Sequence, residues 1–355
     1  MSDMSDDRES VTRRKADHIR INLENDVTSH ISNGLERYHF VHEALPEVDM
    51  AAIDTRVTLF GRTLAAPLFI SSMTGGTELA GQINRNLARA AQQCGLAMGL
   101  GSMRAVITRP ASAASFNVRD VAPDVMLFAN VGAVQLNYGF GLDECKRLVD
   151  AVSADALILH LNPLQEAVQP EGDVNWNGLI EKIAHLTRAL NVPVIAKECG
   201  WGISPRAARA LANAGVAAID VAGAGGTSWS QVEMYRAQSD VQRRIAGAFA
   251  DWGIPTAESI QHARINAPKL PIFASGGLKD GVDGAKCIAL GASLFGLARP
   301  LLRAATLSTE AVLEEIQVIL GQLRVTMLCA GAQNITTLQA TAMSRQSMSQ
   351  QLFSF

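Results

Sequence analysis

From Pro67 onward, short apolar runs recur at regular intervals, each closing on small or polar residues and each followed by a stretch of helical period. The runs are residues 67–71 (PLFIS), 96–101 (LAMGLG), 125–132 (VMLFANVG), 156–162 (ALILHLN), 193–198 (PVIAKE), 217–223 (AAIDVAG), 271–276 (PIFASG) and 293–298 (SLFGLA). They are apolar on both faces, as strands of a parallel sheet covered on both sides must be. Between them lie amphipathic stretches at 83–95, 142–154 and 204–215, and at 280–290, where Asp280 suits an N-cap and Gly291 a C-terminal stop. Eight such strands alternating with helices predict an α/β fold, and a closed (β/α)8 (TIM) barrel rather than a doubly wound sheet.

The pattern also predicts what surrounds the barrel. The connection 224–270 is long for its type and should hold extra helix, notably VQRRIAGAFADWG, and 309–331 reads as a closing helix. Ahead of the barrel, residues 31–66 have no helical period; VDMAAIDTRVTLFGRTLAAP predicts a small hairpin turning at Phe60-Gly61-Arg62. IRINLENDV reads as a weakly amphipathic helix, and residues 1–12 as disordered. This gives an N-terminal arm and hairpin (1–66), a barrel (67–335) and a polar tail (336–355), either frayed or an oligomer contact.

Composition narrows the class. With 48% hydrophobic and 18% charged residues over 355 positions, there is ample core for one large domain. No run approaches a membrane span, and MSDMSDDRES is too acidic for a signal peptide, so a soluble, cytoplasmic protein is expected. The five cysteines are far apart and form no CxxC pair, which argues against a zinc site or disulfide framework. A net charge of −3 gives no basic footprint for nucleic acid.

In a barrel, chemistry sits where strands end. The first ends in Ser71-Ser72-Met73-Thr74-Gly75-Gly76, the second in Gly101-Ser102-Met103-Arg104, the third at Asn130, and the fourth in His160-Leu161-Asn162 with Gln165 and Glu166 just after. Lys197-Glu198 ends the fifth, and a glycine-rich run ending in Thr227-Ser228-Trp229 the sixth. Gly276-Gly277-Leu278 and Ala298-Arg299-Pro300 end the last two, where barrels usually grip phosphate. A lysine closing an apolar strand needs an anionic partner. Lys197 therefore reads as a Schiff-base former, as a stabiliser of negative charge on a cofactor such as reduced flavin, or as half of an internal pair with Glu198 or Asp220. Glu166 reads as a single-carboxylate Mg²⁺ ligand or as a surface glutamate. The basic cluster Arg13-Arg14-Lys15 reads as a solvated face or as an arm closing over an anion. No GxGxxG follows the first strand and no GxxxxGKS/T occurs, so neither dinucleotide nor P-loop binding is indicated.

Taken together, RRKADH, SSMTGG, GSMR, HLNPLQE, IAKECGWGIS, DVAGAGGTSW, ASGGLKDG, FGLARPLL and MLCAGAQNITTLQ resemble the type 2, FMN-dependent isopentenyl-diphosphate isomerases over nearly the whole chain. The resemblance implies a barrel that uses FMN, Mg²⁺ and NADPH as flavin reductant to interconvert isopentenyl and dimethylallyl diphosphate without net redox change. It implies FMN contacts at Ser72, Met73, Thr74, Ser102, Asn130, Lys197, Thr227, Gly276, Gly277, Leu278, Ala298 and Arg299. Diphosphate contacts would fall on Arg14, Lys15, Ser102, Met103, Arg104, Asn162 and Gln165, with Glu166 as metal ligand. Lys197, Gln165, His160 and Trp229 would serve catalysis, Lys197 against the anionic flavin and Trp229 beside Met73 against a developing cation. The family also implies a homo-oligomer, a tetramer or octamer. Two positions depart from its pattern. Ala222 stands where a serine commonly contacts flavin, and Met103 where a glutamine is frequent, leaving a backbone contact to be expected there. The rival on the same barrel, a 2-hydroxy acid oxidase, needs a histidine late in the barrel, and the only one after the fifth strand is His262.

Overall fold

A computed structural model of the chain describes residues 17–345. Eight parallel strands close into a barrel: β1 (Leu68–Ile70), β2 (Ala97–Gly99), β3 (Met126–Gly132), β4 (Ala156–Leu161), β5 (Val194–Glu198), β6 (Ala218–Asp220), β7 (Ile272–Ala274) and β8 (Leu294–Leu297), each hydrogen-bonded to the next and β8 to β1. Every one lies inside its predicted run. No helix among the described residues is long and apolar enough to cross a membrane.

The helices follow with small shifts at their ends. The first crossover helix, Glu78–Cys94, starts five residues earlier than its period suggests, because Thr77 caps it by accepting from the Ala80 N–H. Leu142–Val152, Pro205–Asn213 and Gly281–Ala289 match expectation, the last capped by Asp280. The long β6–β7 connection holds three helices, Trp229–Arg236, Asp240–Gly247 and Thr256–Asn266. Thr309–Cys329 closes the barrel.

The barrel lumen is packed. Phe69, Phe128 and Phe273 fill its middle, with Phe69 and Phe273 ring centroids 5.4 Å apart. Below them the predicted hairpin, Val57–Leu59 with Arg62–Leu64, plugs the N-terminal mouth with Leu59 and Leu64. Its turn is Phe60-Gly61 alone, both with positive φ, so Arg62 belongs to the second strand. The stretch read as a polar tail contributes to the fold: Leu338 is buried on the short helix Ile335–Ala340, and Met343–Arg345 pairs antiparallel with Tyr38–Phe40. That pairing joins segments some 300 residues apart, beyond any local pattern.

Candidate active site

Alternation along a strand carries the lumen's layering up to its C-terminal mouth. Two residues beyond lumen-filling Phe69, Phe128, Ile158, Ile195, Ala218 and Phe273 stand Ser71, Asn130, His160, Lys197, Asp220 and Ser275. An apolar layer is thus capped by a polar one. Strand register aligns its centre, with His160 opposite Lys197 and Lys197 opposite Asp220 on neighbouring strands.

This layer floors a cleft of about 950 Å³. All twelve positions assigned to FMN line it, as do His160, Asn162, Gln165, Glu166, Arg104 and Trp229. Met103 does not. It is fully buried in the core, because a helix starts at Arg104 and ties the Met103 N–H to the Asn130 carbonyl at 2.7 Å and its carbonyl to the Val106 N–H at 2.8 Å. The backbone contact expected of it is already spent inside the protein. Arg14 and Lys15 lie outside the described residues.

Lys197 is buried and forms the internal pair foreseen as one of its readings. Its Nζ lies 3.1 Å from Asp220 Oδ2 and donates to the Glu198 carbonyl at 3.0 Å and to Ser275 Oγ at 3.3 Å, while Ser275 Oγ donates to Asp220 Oδ1 at 2.7 Å. Glu198 points to the other face of β5, where its Oε2 accepts from the N–H groups of Cys199, Gly200 and Trp201 at 2.6–2.7 Å. Burial still pushes its carboxyl up to about 7 against those donors. His160 is held down at about 4, chiefly by burial and then by the Lys197 charge, so at neutral pH it is an uncharged ring with Nδ1 2.8 Å from Asn130 Oδ1.

Glu166 is buried, which sets aside the surface reading. Its Oε1 accepts from Asn162 Nδ2 at 3.0 Å and its Oε2 from the Asp173 N–H at 2.7 Å. Asn162 Nδ2 also donates to Gln165 Oε1 at 3.0 Å. Arg104 is paired with Asp173 at 2.6 Å.

Across the cleft, Gly276 and Gly277 have φ of 105° and 74°, and a Cβ on either would lie 2.1 Å from the Gly223 carbonyl or 2.3 Å from the Gly225 carbonyl. Only glycine fits. Thr256 Oγ1 and Asn33 Nδ2 occupy their carbonyls at 2.6 and 2.8 Å, so the turn offers a ligand its N–H groups rather than its oxygens. Arg299 reaches Thr28 Oγ1 at 3.2 Å. Ala222 also lines the cleft and adopts a φ of 34°, an uncommon conformation for a residue with a Cβ.

The N-terminal helix, residues 17–24, forms part of the wall. His18 Nε2 lies 3.0 Å from Glu233 Oε1, its ring stands edge-on to Trp229 at 5.1 Å, and Arg236 bridges Glu233 and Glu171 at 2.7 and 2.6 Å. Burial alone would raise the Glu233 carboxyl; His18 and Arg236 hold it below the usual range. Sequence reasoning missed Glu233 and Ser275, and treated Asp220 only as a possible partner of Lys197. Counting two residues past each lumen aromatic would have found Ser275, whereas Glu233 carries no local signal.

The site fits a large polar cofactor and its substrate. Ser72 Oγ, Gln135 Oε1 and Asn162 Oδ1 are buried at the cleft wall with no hydrogen-bond partner among the described residues, a cost that a ligand would relieve. No group of three His, Cys, Asp or Glu side chains that could hold a metal ion comes together among the described residues.

Residues 8–118 and 155–345 match the FMN-dependent dehydrogenase family. The chain is 53% identical over 338 residues to the isopentenyl-diphosphate delta-isomerase of Rickettsia felis, covering 95% of this chain and 98% of that one. It is 54% identical over 327 residues to that of Rickettsia bellii strain RML369-C, covering 92% and 96%. The chain belongs to the type 2, FMN-dependent isopentenyl-diphosphate delta-isomerases.

Solved structures place this isomerase among flavin oxidases in fold. A mandelate oxidase with (S)-2-phenylpropionate matches at TM-score 0.67 and 19% identity, covering 96% of this chain and 99% of that one. A Pediococcus acidilactici protein described as a lactate oxidase matches at TM-score 0.68 and 18%, covering 90% and 88%. The isomerase differs from the oxidase expectation at the late-barrel histidine. Among the described residues the histidines lining its cleft are His18 and His160, while His262 sits on the helix Thr256–Asn266 away from it.

Proposed function

We propose that this enzyme interconverts isopentenyl and dimethylallyl diphosphate, using FMN kept reduced by NADPH, with Mg²⁺ on the substrate diphosphate. The observation that carries the reading is the convergence, in one cleft, of the twelve FMN positions with Glu166, Gln165, Asn162 and Arg104. Isomerising an unactivated alkene requires protonating one carbon and removing a proton from another, which no ordinary side chain is acidic enough to do easily. Reduced flavin supplies a proton donor and acceptor of suitable strength next to the double bond.

The protein's own groups do the rest. Gly276, Gly277 and Arg299 hold the cofactor phosphate through N–H groups and a guanidinium fork. Lys197 meets negative charge on the ring. Glu166 would be the protein's carboxylate toward Mg²⁺, which would neutralise diphosphate charge. Arg104, joined by Arg14 and Lys15, grips the diphosphate, so Arg104 must exchange Asp173 for substrate. Uncharged His160 adds no positive charge beside the developing tertiary cation, and the Trp229 indole face would stabilise it. Gln165, through water, would help carry away the allylic proton; unchanged turnover in Gln165→Ala would remove Gln165 from that role. The protein is taken to work in the cytoplasm as a homo-oligomer, a tetramer or octamer.

Anaerobic incubation with FMN, NADPH, Mg²⁺ and isopentenyl diphosphate, followed by NMR, tests this. Dimethylallyl diphosphate should form only with reduced flavin, at far less than one NADPH per turnover. A flavin-loaded protein that makes none would sink the substrate assignment and bring the oxidase reading forward.

A further inference from the structure

The polar layer contains one ammonium and, beside it, a carboxylate that the functional reading leaves unused. An ammonium has three hydrogens to donate. Lys197 donates two of them, to the Glu198 carbonyl and Ser275 Oγ, and faces Asp220 by charge, so in this arrangement at most one remains for a flavin ring. Asp220 is 1% exposed, and its Oδ2, 3.1 Å from Nζ, makes no aligned hydrogen bond among the described residues. Its Oδ1, by contrast, is well held by the Ser275 hydroxyl at 2.7 Å and the Ala222 N–H at 3.3 Å. The contact between Lys197 and Asp220 is therefore charge without alignment. It can be given up while Asp220 stays anchored through its other oxygen.

We propose that Asp220 is a positioning residue that acts through Lys197. It holds the ammonium at the top of the lumen and yields one N–H to the bound flavin, and as a fixed negative charge it limits how strongly the lysine favours anionic reduced FMN. The inference rests on the FMN reading above. A buried lysine alone would present a full positive charge to the ring; paired at 3.1 Å it presents a dipole, and the ring's preference for the reduced anion is correspondingly smaller.

The test is the equilibrium potential of FMN bound to the holoenzyme, measured by anaerobic dye equilibration. Asp220→Asn keeps the shape and the acceptor for Ser275 but removes the charge. It should raise the ratio of affinities for reduced over oxidised FMN at least about tenfold, a positive shift of about 30 mV for two electrons. Lys197→Gln should shift it the other way, and adding Asp220→Asn to Lys197→Gln should change little further, as expected if the effect passes through the lysine. A folded Asp220→Asn protein with an unchanged or more negative potential overturns the proposal, as does an equal shift in the Lys197→Gln background. A crystal structure of the wild-type holoenzyme reduced with dithionite gives a measurement that needs no variant. Lys197 Nζ should lie within hydrogen-bond reach of the ring while Ser275 still binds Asp220. An Nζ that keeps all three present contacts and misses the ring overturns the inference and leaves FMN binding intact. Failure to bind FMN at all overturns the functional reading and this inference together.

Discussion

The two mouths of the barrel are built on opposite principles. At the N-terminal mouth the hairpin fills the lumen with leucine, and the charges around it are matched: Asp155 meets Arg62 at 2.8 Å and Arg119 at 2.9 Å and accepts the Leu127 N–H at 2.8 Å, while Arg62 also reaches the Asp124 carbonyl. At the C-terminal mouth, Ser72 Oγ, Gln135 Oε1, Asn162 Oδ1 and Asp220 Oδ2 have no hydrogen-bond partner among the described residues, Ala222 carries a positive φ, and a lysine and a carboxylate are packed into the lumen. One end is satisfied and the other is not. Unmet polar groups cost stability, so their concentration at one mouth marks where a ligand completes the structure.

Substitutions at the two ends should separate activity from stability. The largest effect is expected from Glu166→Gln, which keeps the hydrogen bond to the Asp173 N–H but removes the charge. Steady-state kinetics should show kcat/KM down roughly 10²–10³-fold, with the unfolding midpoint almost unmoved. Leu59→Ala, at the plugged mouth, should do the reverse. Denaturant unfolding should reveal a loss of about 2–5 kcal/mol while FMN affinity is retained, and a large affinity loss would mean the two ends are coupled.

His160 sharpens the contrast through pH. Its folded value of about 4 lies below the ordinary imidazole value, so the unfolded chain binds more protons between the two, and stability should fall as pH drops through that window. Urea unfolding of flavin-free protein should lose about 1–2 kcal/mol between pH 6.5 and 5 on this account. His160→Gln should abolish that part of the slope, and an unchanged slope would assign it elsewhere. The smallest effect is expected at Arg62→Ala. Its ion pair with Asp155 is partly open to water, so the loss should stay under about 1 kcal/mol, with kcat unchanged.

The eight strands were legible because a parallel strand buried on both faces must be apolar throughout, a property of five or six consecutive residues. The hairpin was legible because Phe60-Gly61 stands between short alternating runs. The lining of the cleft was largely legible too, since closure of the barrel gathers all strand ends on one side. Met103 was expected to offer its backbone, and strand-end position does not say that its N–H is taken by the Asn130 carbonyl or that its side chain is buried. A helix starting at Arg104 turned it into the core.

By itself the sequence determined the number of barrel strands, their direction and the ends at which chemistry gathers, because these depend on local period and on the chirality of the crossovers. Only the tertiary structure decided which polar groups share a level. Lys197 meets Asp220 through strand register, Ser275 joins them from β7, and His18 meets Glu233 across 215 residues of chain. The tail strand Met343–Arg345 finds Tyr38–Phe40 in the same way. Such pairings are set by barrel closure and by the burial of the segments that carry them, and no window of neighbouring residues contains either.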